Sequence, residues 1–323
     1  MKNVLILFGG NSSEHEISCK SIINVIDNID TDKYIYRVVG ITKDNRWIEC
    51  DKNSIEDNSW YDNEEINNIV EYLRRYDVIF PIMHGKSGED GKLQGFFEAF
   101  GFRYVGCNSK ASMIGMDKYL SKIVFNSIGI PQVPYIKYND NIDAIDRLGY
   151  PLIVKPCNGG SSIGISKVNN KDELVEAIKK AAKYDDNIIV EKFIKAREFE
   201  CAIVEDDGIK VSDVGEIIYN NEFYDYEDKY VNDIKLEIPA NISEELRNKI
   251  KEYSTRVFNG INGNGLCRVD FLYDEDNNIL YLNEINTIPG FTNISMYPML
   301  MNDIGYSYTD LISTLIDNTK KDA

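Results

Sequence analysis

Hydrophobic residues in the first third of the chain fall into short apolar runs separated by segments of helical periodicity. The runs NVLILF, YRVVGIT and YDVIFPIMHG are each typical of a strand, whereas EHEISCKSIINVIDNI and LQGFFEAFG have apolar residues at helical spacing. This alternation predicts a parallel sheet flanked by helices, with ligand-binding loops at the carboxyl ends of the strands. The segments FGGNSSE and MHGKSGEDG follow two of these strands, so we expect them to lie close together.

The pattern changes in the middle of the chain. A helical segment, MDKYLSKIVFNSIG, leads through the extended stretch IPQVPY to the strand-like runs PLIVKP, IGISKV and NIIVEKFI. The remainder combines short strands with the helix SEELRNKIKEYSTRVF and predicts an antiparallel α+β unit. We therefore expect a combined α/β and α+β protein with an N-terminal parallel α/β domain (1–106), a central unit (107–191) and a C-terminal unit (192–323).

The most informative segment is a pair of predicted strands, LCRVDFLY and ILYLNEIN, joined by DEDNN. Alternate residues of a strand face the same way, so Arg268 and Asp270 would meet Glu284 and Asn286 if the register is even. Two carboxylates and an amide oxygen suit Mg²⁺ with phosphate oxygens, and an arginine would stabilise charge during phosphoryl transfer. The alternative is a solvated edge hairpin with a surface ion pair, which the following Pro-Gly turn, TIPGFT, disfavours.

Two other segments have the chemistry of a nucleotide site. KPCNGGSSIG is a loop of small residues beside Lys155, which would let the backbone approach phosphates, although it is not a Walker A loop. VEKFIKAREFE places Glu191, Lys192 and Glu198 beside apolar residues, where a carboxylate would accept hydrogen bonds from an adenine amino group or a ribose hydroxyl. A flexible surface loop and a charged solvent face are the respective alternatives.

The glycine turn FGGNSSEHEIS ends the first predicted strand. Ser13 and Glu16 fit the S-x-x-E capping box, which predicts a reciprocally capped helix start. Glu14 is then left without a structural role, on the first turn of the helix and near the end of the strand. We expect its carboxylate to receive the ammonium group of a substrate.

The segment FYDYEDKYVND is rich in tyrosine but also in charge, so a buried core does not explain it. A lid that excludes water from a reactive intermediate would combine these residue types. An exposed loop is the alternative.

Composition and charge narrow the class of protein. The 323 residues, of which 43% are hydrophobic, predict two or three domains, and the net charge of -17 argues against general binding to nucleic acid or anionic membranes. No uncharged apolar run reaches the roughly 20 residues of a membrane span, and MKNVLILFGG is too short in its apolar part for a signal peptide. Six scattered cysteines without a CxxC pair indicate reduced thiols in the cytoplasm, and two histidines argue against a histidine-based zinc site.

Taken together, these motifs resemble those of the ATP-grasp superfamily, and specifically of the D-alanine–D-alanine ligases. The matching segments follow the family's order and span nearly all of the chain: FGGNSSEHEIS, MHGKSGEDGKLQG, MDKYLSK, VKPCNGGSSIGISKV, VEKFIKAREFE, FYDYEDKY, CRVDF and LNEINTIPGFTNISMYP. The resemblance implies a three-domain protein in which a two-part ATP-grasp fold follows the N-terminal domain and clamps ATP between the central and C-terminal domains.

The resemblance also implies which residues bind the nucleotide and the metal. The nucleotide group comprises lysines on the phosphates, a loop closing over them, and residues on adenine and ribose: Lys118, Lys155, Ser162, Glu191, Lys192, the Ile194 backbone and Glu198. Two Mg²⁺ ions, with Mn²⁺ as a substitute, would be bound by Asp270, Glu284 and Asn286.

A further group would serve the amino acids and their reaction. In the catalytic group, a triad of Glu14, Ser161 and Tyr230 would anchor the first ammonium. Arg268 and the Gly290 backbone would hold the oxyanion, and His84 would lie near the acyl carbon. In the substrate-binding group, Lys229 and Ser295 would bind the second carboxylate, and Met296 and Ile17 would be further residues of the pocket.

The implied reaction joins two D-alanines. One D-alanine carboxylate attacks the γ-phosphate of ATP to give an acylphosphate and ADP, and the amine of the second then displaces phosphate. The segment SMYP, with Met296, resembles the corresponding segment of the D-alanine enzymes. The lid pair Lys229–Tyr230 resembles that of family members that make dipeptides. GITKDNRWIEC and GGNSSE resemble the glycopeptide-resistance branch, so D-alanine–D-serine ligation is the alternative. The family implies a cytoplasmic homodimer of peptidoglycan precursor synthesis, with no nucleic-acid or membrane partner.

Overall fold

The computed structural model describes residues 1–218 and 235–319. Its N-terminal sheet has four strands: β1 (Lys2–Gly9), β2 (Tyr34–Ile41), β3 (Trp47–Cys50) and β4 (Val78–Ile82). Their order is β3-β2-β1-β4, and β1 is parallel to both of its neighbours, which confirms the predicted parallel arrangement. The edge strand β3, which the apolar pattern did not indicate, is antiparallel to β2.

Helices cover both faces of this sheet. They are α1 (His15–Asn28), α2 (Lys52–Glu56), a 3₁₀ helix (Ser59–Asp62), α3 (Ile69–Leu73) and α4 (Lys92–Phe100). The two-residue period of β1 divides its side chains between two cores, with Val4, Ile6 and Phe8 in one and Leu5 and Leu7 in the other. A strand buried on both faces reads as a continuous apolar run, which is why VLILF was recognisable in the sequence.

The central part of the chain forms a second, smaller sheet. Its strands are β5 (Tyr135–Lys137), β6 (Leu152–Pro156), β7 (Ser166–Val168) and β8 (Ile188–Lys192), arranged antiparallel in the order β5-β8-β6-β7. Two helices, α7 (Ile142–Asp146) and α8 (Lys171–Ala181), accompany this sheet. The glycine-rich loop connects β6 to β7 and therefore lies at one end of the sheet.

The third sheet is antiparallel in the order β11-β10-β9-β12-β13. Its strands are β9 (Arg197–Glu205), β10 (Ile209–Ile218), β11 (Lys235–Glu237), β12 (Leu266–Asp274) and β13 (Ile279–Asn286). One face packs on a long helix, α9 (Glu244–Gly260), and on α5 (Ser109–Met116) and α6 (Lys118–Ser127). The two helices that precede the central sheet thus share the core of the C-terminal sheet, while the domain boundaries stay predictions.

The last two helices, α10 (Met296–Asp303) and α11 (Tyr308–Asp317), fill the space between the first and third sheets. Tyr297, Leu300 and Leu311 share one core with Val4 of β1 and Val204 of β9. This packing ties the N-terminal sheet to the C-terminal one and fixes the cleft between them. Within residues 1–218 and 235–319, the helices are too short or too polar to cross a lipid bilayer.

Candidate active site

Two adjoining cavities hold the predicted site residues that the structure describes. The first cavity, of about 340 Å³, lies between the central and C-terminal sheets, and the second, of about 630 Å³, lies between the N-terminal domain and the segment 284–296. The first is lined by Lys155, Ser162, Glu191, Lys192, Ile194, Glu198 and Asp270. The second is lined by Glu14, Ile17, His84, Asn286, Gly290, Ser295 and Met296. Both cavities are lined by Lys118, Ser161, Arg268 and Glu284, so the two sites meet there.

Two predicted residues of the lid, Lys229 and Tyr230, lie outside the described residues. Their predicted contacts with the second carboxylate and with Glu14 therefore stay predictions.

The glycine turn after β1 is closed to a ligand by its own hydrogen bonds. Gly9 N–H donates to Ser18 Oγ at 2.7 Å and Gly10 N–H to the Ile41 carbonyl at 2.6 Å. Gly9 has a φ of +87°, and a Cβ there would lie 2.3 Å from the Ile41 oxygen, so only glycine fits. The turn directs the chain from β1 into α1 and leaves no backbone donor for a phosphate at these two positions.

The predicted capping box is wrong. The N-cap of α1 is Glu14, and it makes no side-chain capping bond. Ser12 Oγ instead accepts from Glu14 N–H at 3.1 Å, and Glu16 pairs with Lys43 at 2.5 Å on the surface. The capping box places the N-cap at Ser13, but the helix begins one residue later. The chain still forms a turn at this point, in which His15 N–H donates to the Ser12 carbonyl.

Glu14 reaches across the second cavity to the glycine-rich loop of the central unit. Ser161 Oγ donates to Glu14 Oε1 at 2.5 Å, so the structure brings these two predicted partners together. Ser161 and Ser162 have φ values of +51° and +56°, a left-handed conformation that costs energy for residues with a Cβ. This loop conformation places the Ser161 hydroxyl within hydrogen-bond distance of the carboxylate of the N-terminal domain.

His84 lies in the wall of the second cavity with both ring nitrogens in use. Because a carbonyl only accepts, Nδ1–H must donate to the Ile288 oxygen at 3.0 Å, and Nε2 then accepts from Ser21 Oγ at 3.0 Å. Burial lowers the pKa of His84, which favours this neutral form. The histidine thus fixes the loop after β4 against the Ile288 backbone, and its predicted closeness to the acyl group stays a prediction.

Glu89 is a feature of this wall that the sequence motifs did not single out. Its Oε2 accepts from Gly85 N–H at 2.7 Å and its Oε1 from Ile288 N–H at 2.8 Å, so one carboxyl joins the N-terminal loop to the turn before Gly290. Burial, and then the charge of Glu14, raise the pKa of Glu89 to about 8. Part of the Glu89 side chain faces the second cavity, but the surrounding protein excludes most water from its carboxyl group. MHGKSGEDG contained the residue without indicating its distant partner.

This raised pKa predicts a pH dependence of stability. Between about pH 4.5, its ordinary pKa, and about pH 8, Glu89 binds a proton in the folded state that the unfolded chain has released. The free energy of unfolding should therefore fall as pH rises through this window. Replacing Glu89 with glutamine should flatten that fall, as measured by urea unfolding of both proteins at pH 6 and pH 8. An equal pH slope in the two proteins would contradict the assignment.

The hairpin register brings Arg268, Asp270, Glu284 and Asn286 onto one patch, as predicted. Asp270 is opposite Glu284 and Arg268 is opposite Asn286, with a bulge immediately after Asp270. Arg268 donates to both oxygens of Asp270 at 2.7 and 2.8 Å and lies 2.9 Å from Glu200 Oε2. Burial opposes the charge, but Asp270 and Glu200 raise the pKa of Arg268 well above its usual value. The guanidinium is a permanent cation where the two cavities meet.

The same patch fits a hard divalent cation in its chemistry. Asp270, Glu284 and Asn286 supply carboxylate and amide oxygens, and phosphate oxygens of a ligand would complete the coordination of Mg²⁺. Within the described residues no three His, Cys, Asp or Glu side chains are grouped for a metal ion. Asp270 also accepts from Asn286 Nδ2 at 2.9 Å, so metal binding would require these side chains to change partners.

The lysines of the first cavity are held by specific partners. Lys118 Nζ donates to the Gly159 carbonyl at 2.7 Å and lies 3.5 Å from Glu284 Oε2. Lys155 Nζ is 2.7 Å from Glu191 Oε2. Lys192 instead donates to the Gly149 and Tyr150 carbonyls at 2.8 and 3.0 Å, so its ammonium fixes a turn of the central unit.

Ser295 and Met296 form the far wall of the second cavity, at the start of α10. Ser295 is the N-cap, and its Oγ lies 2.8 Å from Thr292 Oγ1. Met296 is 5% exposed, and a Cβ on Gly215 would lie 2.6 Å from its sulfur, so it packs closely on β10. Ile17 projects from α1 into the same cavity. A helix N-terminus and two apolar side chains suit a small carboxylate-bearing ligand.

Comparisons with known proteins match almost the whole chain. The family described as D-ala D-ala ligase N-terminus matches residues 3–107, and that described as D-ala D-ala ligase C-terminus matches residues 124–317. A D-alanine–D-alanine ligase of Acetivibrio thermocellus is 42% identical, covering 98% of this chain and 95% of that protein. One of Clostridium novyi is 43% identical, covering 98% of this chain and 97% of that protein.

Solved structures agree with the fold. The VanG D-Ala:D-Ser ligase from Enterococcus faecalis superposes with a TM-score of 0.87 at 35% identity, covering 98% of each chain. The D-alanine-D-alanine ligase from Coxiella burnetii gives a TM-score of 0.85 at 32% identity, covering 99% of this chain and 95% of that one.

Proposed function

The chain belongs to the D-alanine–D-alanine ligase family, and from this premise we propose that its first cavity binds ATP and its second cavity binds two amino acids. The activity is the ADP-forming ligation of D-alanine to D-alanine, which the family carries out for peptidoglycan precursor synthesis on an ATP-grasp fold. One observation supports this assignment of ligands to the two cavities: both cavities are lined by Ser161, Arg268 and Glu284. A phosphate at the end of the first cavity would therefore meet a carboxylate in the second.

In the first cavity, lysine charges would hold the phosphates and the loop from 159 to 165 would close over them. Lys118 and Lys155 line the cavity beside this loop. The Ile194 backbone would contact adenine and the side chain of Glu198 the ribose. The adenine contact predicted for the Glu191 carboxylate would compete with Lys122 and Lys155, each of which pairs with one of its oxygens. Lys192 would act through its backbone, since its ammonium is bound to two carbonyls. Two Mg²⁺ ions on Asp270, Glu284 and Asn286 would neutralise charge on the phosphates.

In the second cavity, Glu14 would receive the ammonium of the first D-alanine, supported by its hydrogen bond from Ser161. The second D-alanine would place its carboxylate at Ser295, where the start of α10 supplies backbone N–H groups. Lys229 and Tyr230 would complete these two seats from the lid. Met296 and Ile17 would leave space for a methyl side chain.

The reaction follows from the chemistry of carboxylates. A carboxylate is a poor acyl donor, so the first D-alanine oxygen attacks the γ-phosphorus of ATP, ADP leaves, and an acylphosphate forms. The neutral amine of the second D-alanine attacks the acyl carbon, phosphate leaves, and the amine proton passes to solvent or phosphate. Arg268 and the Gly290 backbone would stabilise the negative charge on the acyl oxygen. Enclosure of the site would protect the acylphosphate from water.

A glycine of the loop gives a local test of the Glu14 role. A Cβ on Gly160 would lie 2.4 Å from Glu14 Oε2, so Gly160→Ala must displace that carboxylate. Losing one charge-assisted hydrogen bond to the substrate ammonium should raise the first-site KM for D-alanine about tenfold. Gly160 also lines the first cavity, so the Kd of ADP is measured beside the KM. It should change no more than in Gly159→Ala, because the nearest atoms to the added Cβ all belong to Glu14. Steady-state kinetics and calorimetry measure the two quantities.

Gly159→Ala is the matched control in the same loop. Its Cβ would meet only Pro156 Cγ at 3.6 Å, an ordinary contact, so D-alanine KM should change much less. Equal increases in the two variants, or an equal loss of ADP binding in Gly160→Ala, would contradict the ammonium anchor.

The overall proposal is tested by the stoichiometry of ADP release. Purified protein with Mg²⁺ and ATP should release ADP and phosphate in equal amounts when D-alanine is present, and neither when it is absent. Release that did not depend on D-alanine would contradict the proposal. We also propose a homodimer acting in the cytoplasm, which light scattering and cell fractionation would test.

A further inference from the structure

A second buried lysine lies behind the first cavity without a role in the reaction described above. Lys122 is on α6, one turn after Lys118, and its side chain is 2% exposed. Its Nζ lies 3.0 Å from Glu191 Oε1 and 5.1 Å from the centre of the Tyr135 ring. Within the described part of the chain, this ammonium makes no well-aligned hydrogen bond. A buried cation held this loosely is costly to the fold and requires an explanation.

Lys122, Glu191 and Lys155 form one charged unit. Each oxygen of the Glu191 carboxylate takes one lysine, at 3.0 Å for Lys122 and 2.7 Å for Lys155. Glu191 is 4% exposed, and the two lysines lower its pKa to about 2 in spite of its burial. Burial lowers the pKa of Lys122, and the charge of Glu191 opposes this effect. With both lysines protonated, the unit has two positive charges and one negative charge. Its Lys155 and Glu191 members line the first cavity, and Lys122 is behind them.

Other carboxylates within the described residues act on this unit, but none of them is an ion-pair partner of Lys122 that would balance the unit's second positive charge. Glu284 acts on both lysines and Glu198 acts on Lys155, each through space. Both of these carboxylates are assigned to ligands in the proposed function, one to the metal and one to the ribose. Lys122 has Glu191 as its ion-pair partner, and it shares that partner with Lys155.

We propose that Lys122 is a positioning residue for the nucleotide phosphates. It binds one oxygen of Glu191 so that the other oxygen directs Lys155 into the first cavity, and it leaves the unit with a positive charge that an anionic ligand neutralises. The stability of the empty protein does not require such a lysine, because Glu191 keeps Lys155 as its ion-pair partner when Lys122 is replaced. The inference rests on the proposed function, which makes the first cavity the nucleotide site.

The test compares ADP with adenosine, which lacks the phosphates. Lys122→Met replaces the ammonium with an apolar side chain of similar length, and Lys110→Met removes an exposed lysine from the neighbouring helix as a control. In Lys122→Met the Kd of ADP should rise about tenfold, the loss of one interaction with a charged group, while the Kd of adenosine should change less than twofold. Both are measured by competition with a fluorescent nucleotide, in the presence of Mg²⁺. Thermal unfolding without nucleotide should show no loss of stability.

Each outcome decides the matter. Equal weakening of ADP and adenosine, or unchanged ADP binding, would overturn the inference and leave the proposed function intact. An unmodified protein that bound no ADP would overturn the proposed function itself. If Lys122→Met does not fold, Lys122→Gln, which keeps a polar group near Glu191 but has no charge, should show the same selective loss. If neither variant folds, the lysine is a requirement of the fold and the inference is wrong.

Discussion

Replacing Arg268 with methionine is expected to lower kcat about 10²–10³-fold, which is typical for the loss of a fixed donor to a developing oxyanion. The guanidinium lies where the two cavities meet and is held by Asp270 and Glu200. It is therefore positioned before substrates arrive, and its charge costs no reorganisation during the reaction. Methionine fills much of the same volume but stabilises no negative charge. The kcat is measured from ADP release at saturating ATP and D-alanine.

A loss of stability must be separated from this effect. Without Arg268, two buried carboxylates lose their cation, which typically costs about 3–5 kcal/mol of unfolding free energy. Rates should therefore be divided by the folded fraction, measured by urea unfolding in the assay buffer. Arg247→Met is the matched control, because Arg247 is a carboxylate-paired arginine outside both cavities. A fall in kcat explained by the folded fraction, or an equal fall in the control, would contradict the role of Arg268.

Replacing Glu284 with glutamine is expected to lower kcat about 100-fold or more, since metal stabilisation of phosphoryl transfer is worth several kcal/mol. Glutamine keeps the shape but removes the charge that a hard cation requires. The Mg²⁺ concentration needed for half-maximal ADP binding should rise as well. Calorimetric titration of ADP at several Mg²⁺ concentrations measures this directly, without reference to turnover.

The control for this variant is Asp276→Asn, which removes a carboxylate from the exposed turn of the same hairpin. It should leave both kcat and the Mg²⁺ dependence unchanged. If Glu284→Gln lost activity with an unaltered Mg²⁺ dependence of ADP binding, Glu284 would not be a metal ligand.

Much of the site was predictable because it depends on strand periodicity. The period of two placed Arg268 and Asp270 on one face of their strand, and Glu284 and Asn286 on one face of theirs. The pairing next to the turn, Asp274 with Ile279, would by itself place Asp270 opposite Asn283, and the bulge after Asp270 brings it opposite Glu284 instead. The alternation of apolar strands and amphipathic helices similarly indicated the parallel strands β1, β2 and β4. The strand and helix periods are local, so the sequence contains them directly, whereas the bulge that sets the final register was not predicted.

What the sequence did not indicate depends on contacts between distant segments. Glu89 is joined to Ile288 across 199 positions, and Lys122 meets Glu191 across 69. The wrong capping box had a similar cause, because Ser12 and the fold of the glycine turn decide where α1 begins. The local sequence of a motif gives the residue types of a site, whereas the contacts that those residues make depend on how the sheets pack.

The second substrate is decided by comparing products. Purified protein is incubated with ATP, Mg²⁺ and D-alanine, with and without D-serine, and ADP release and the dipeptides formed are measured together. We expect full turnover with D-alanine alone and D-alanyl-D-alanine as the main product in both mixtures. Little turnover with D-alanine alone, restored by D-serine with D-alanyl-D-serine as the product, would contradict it.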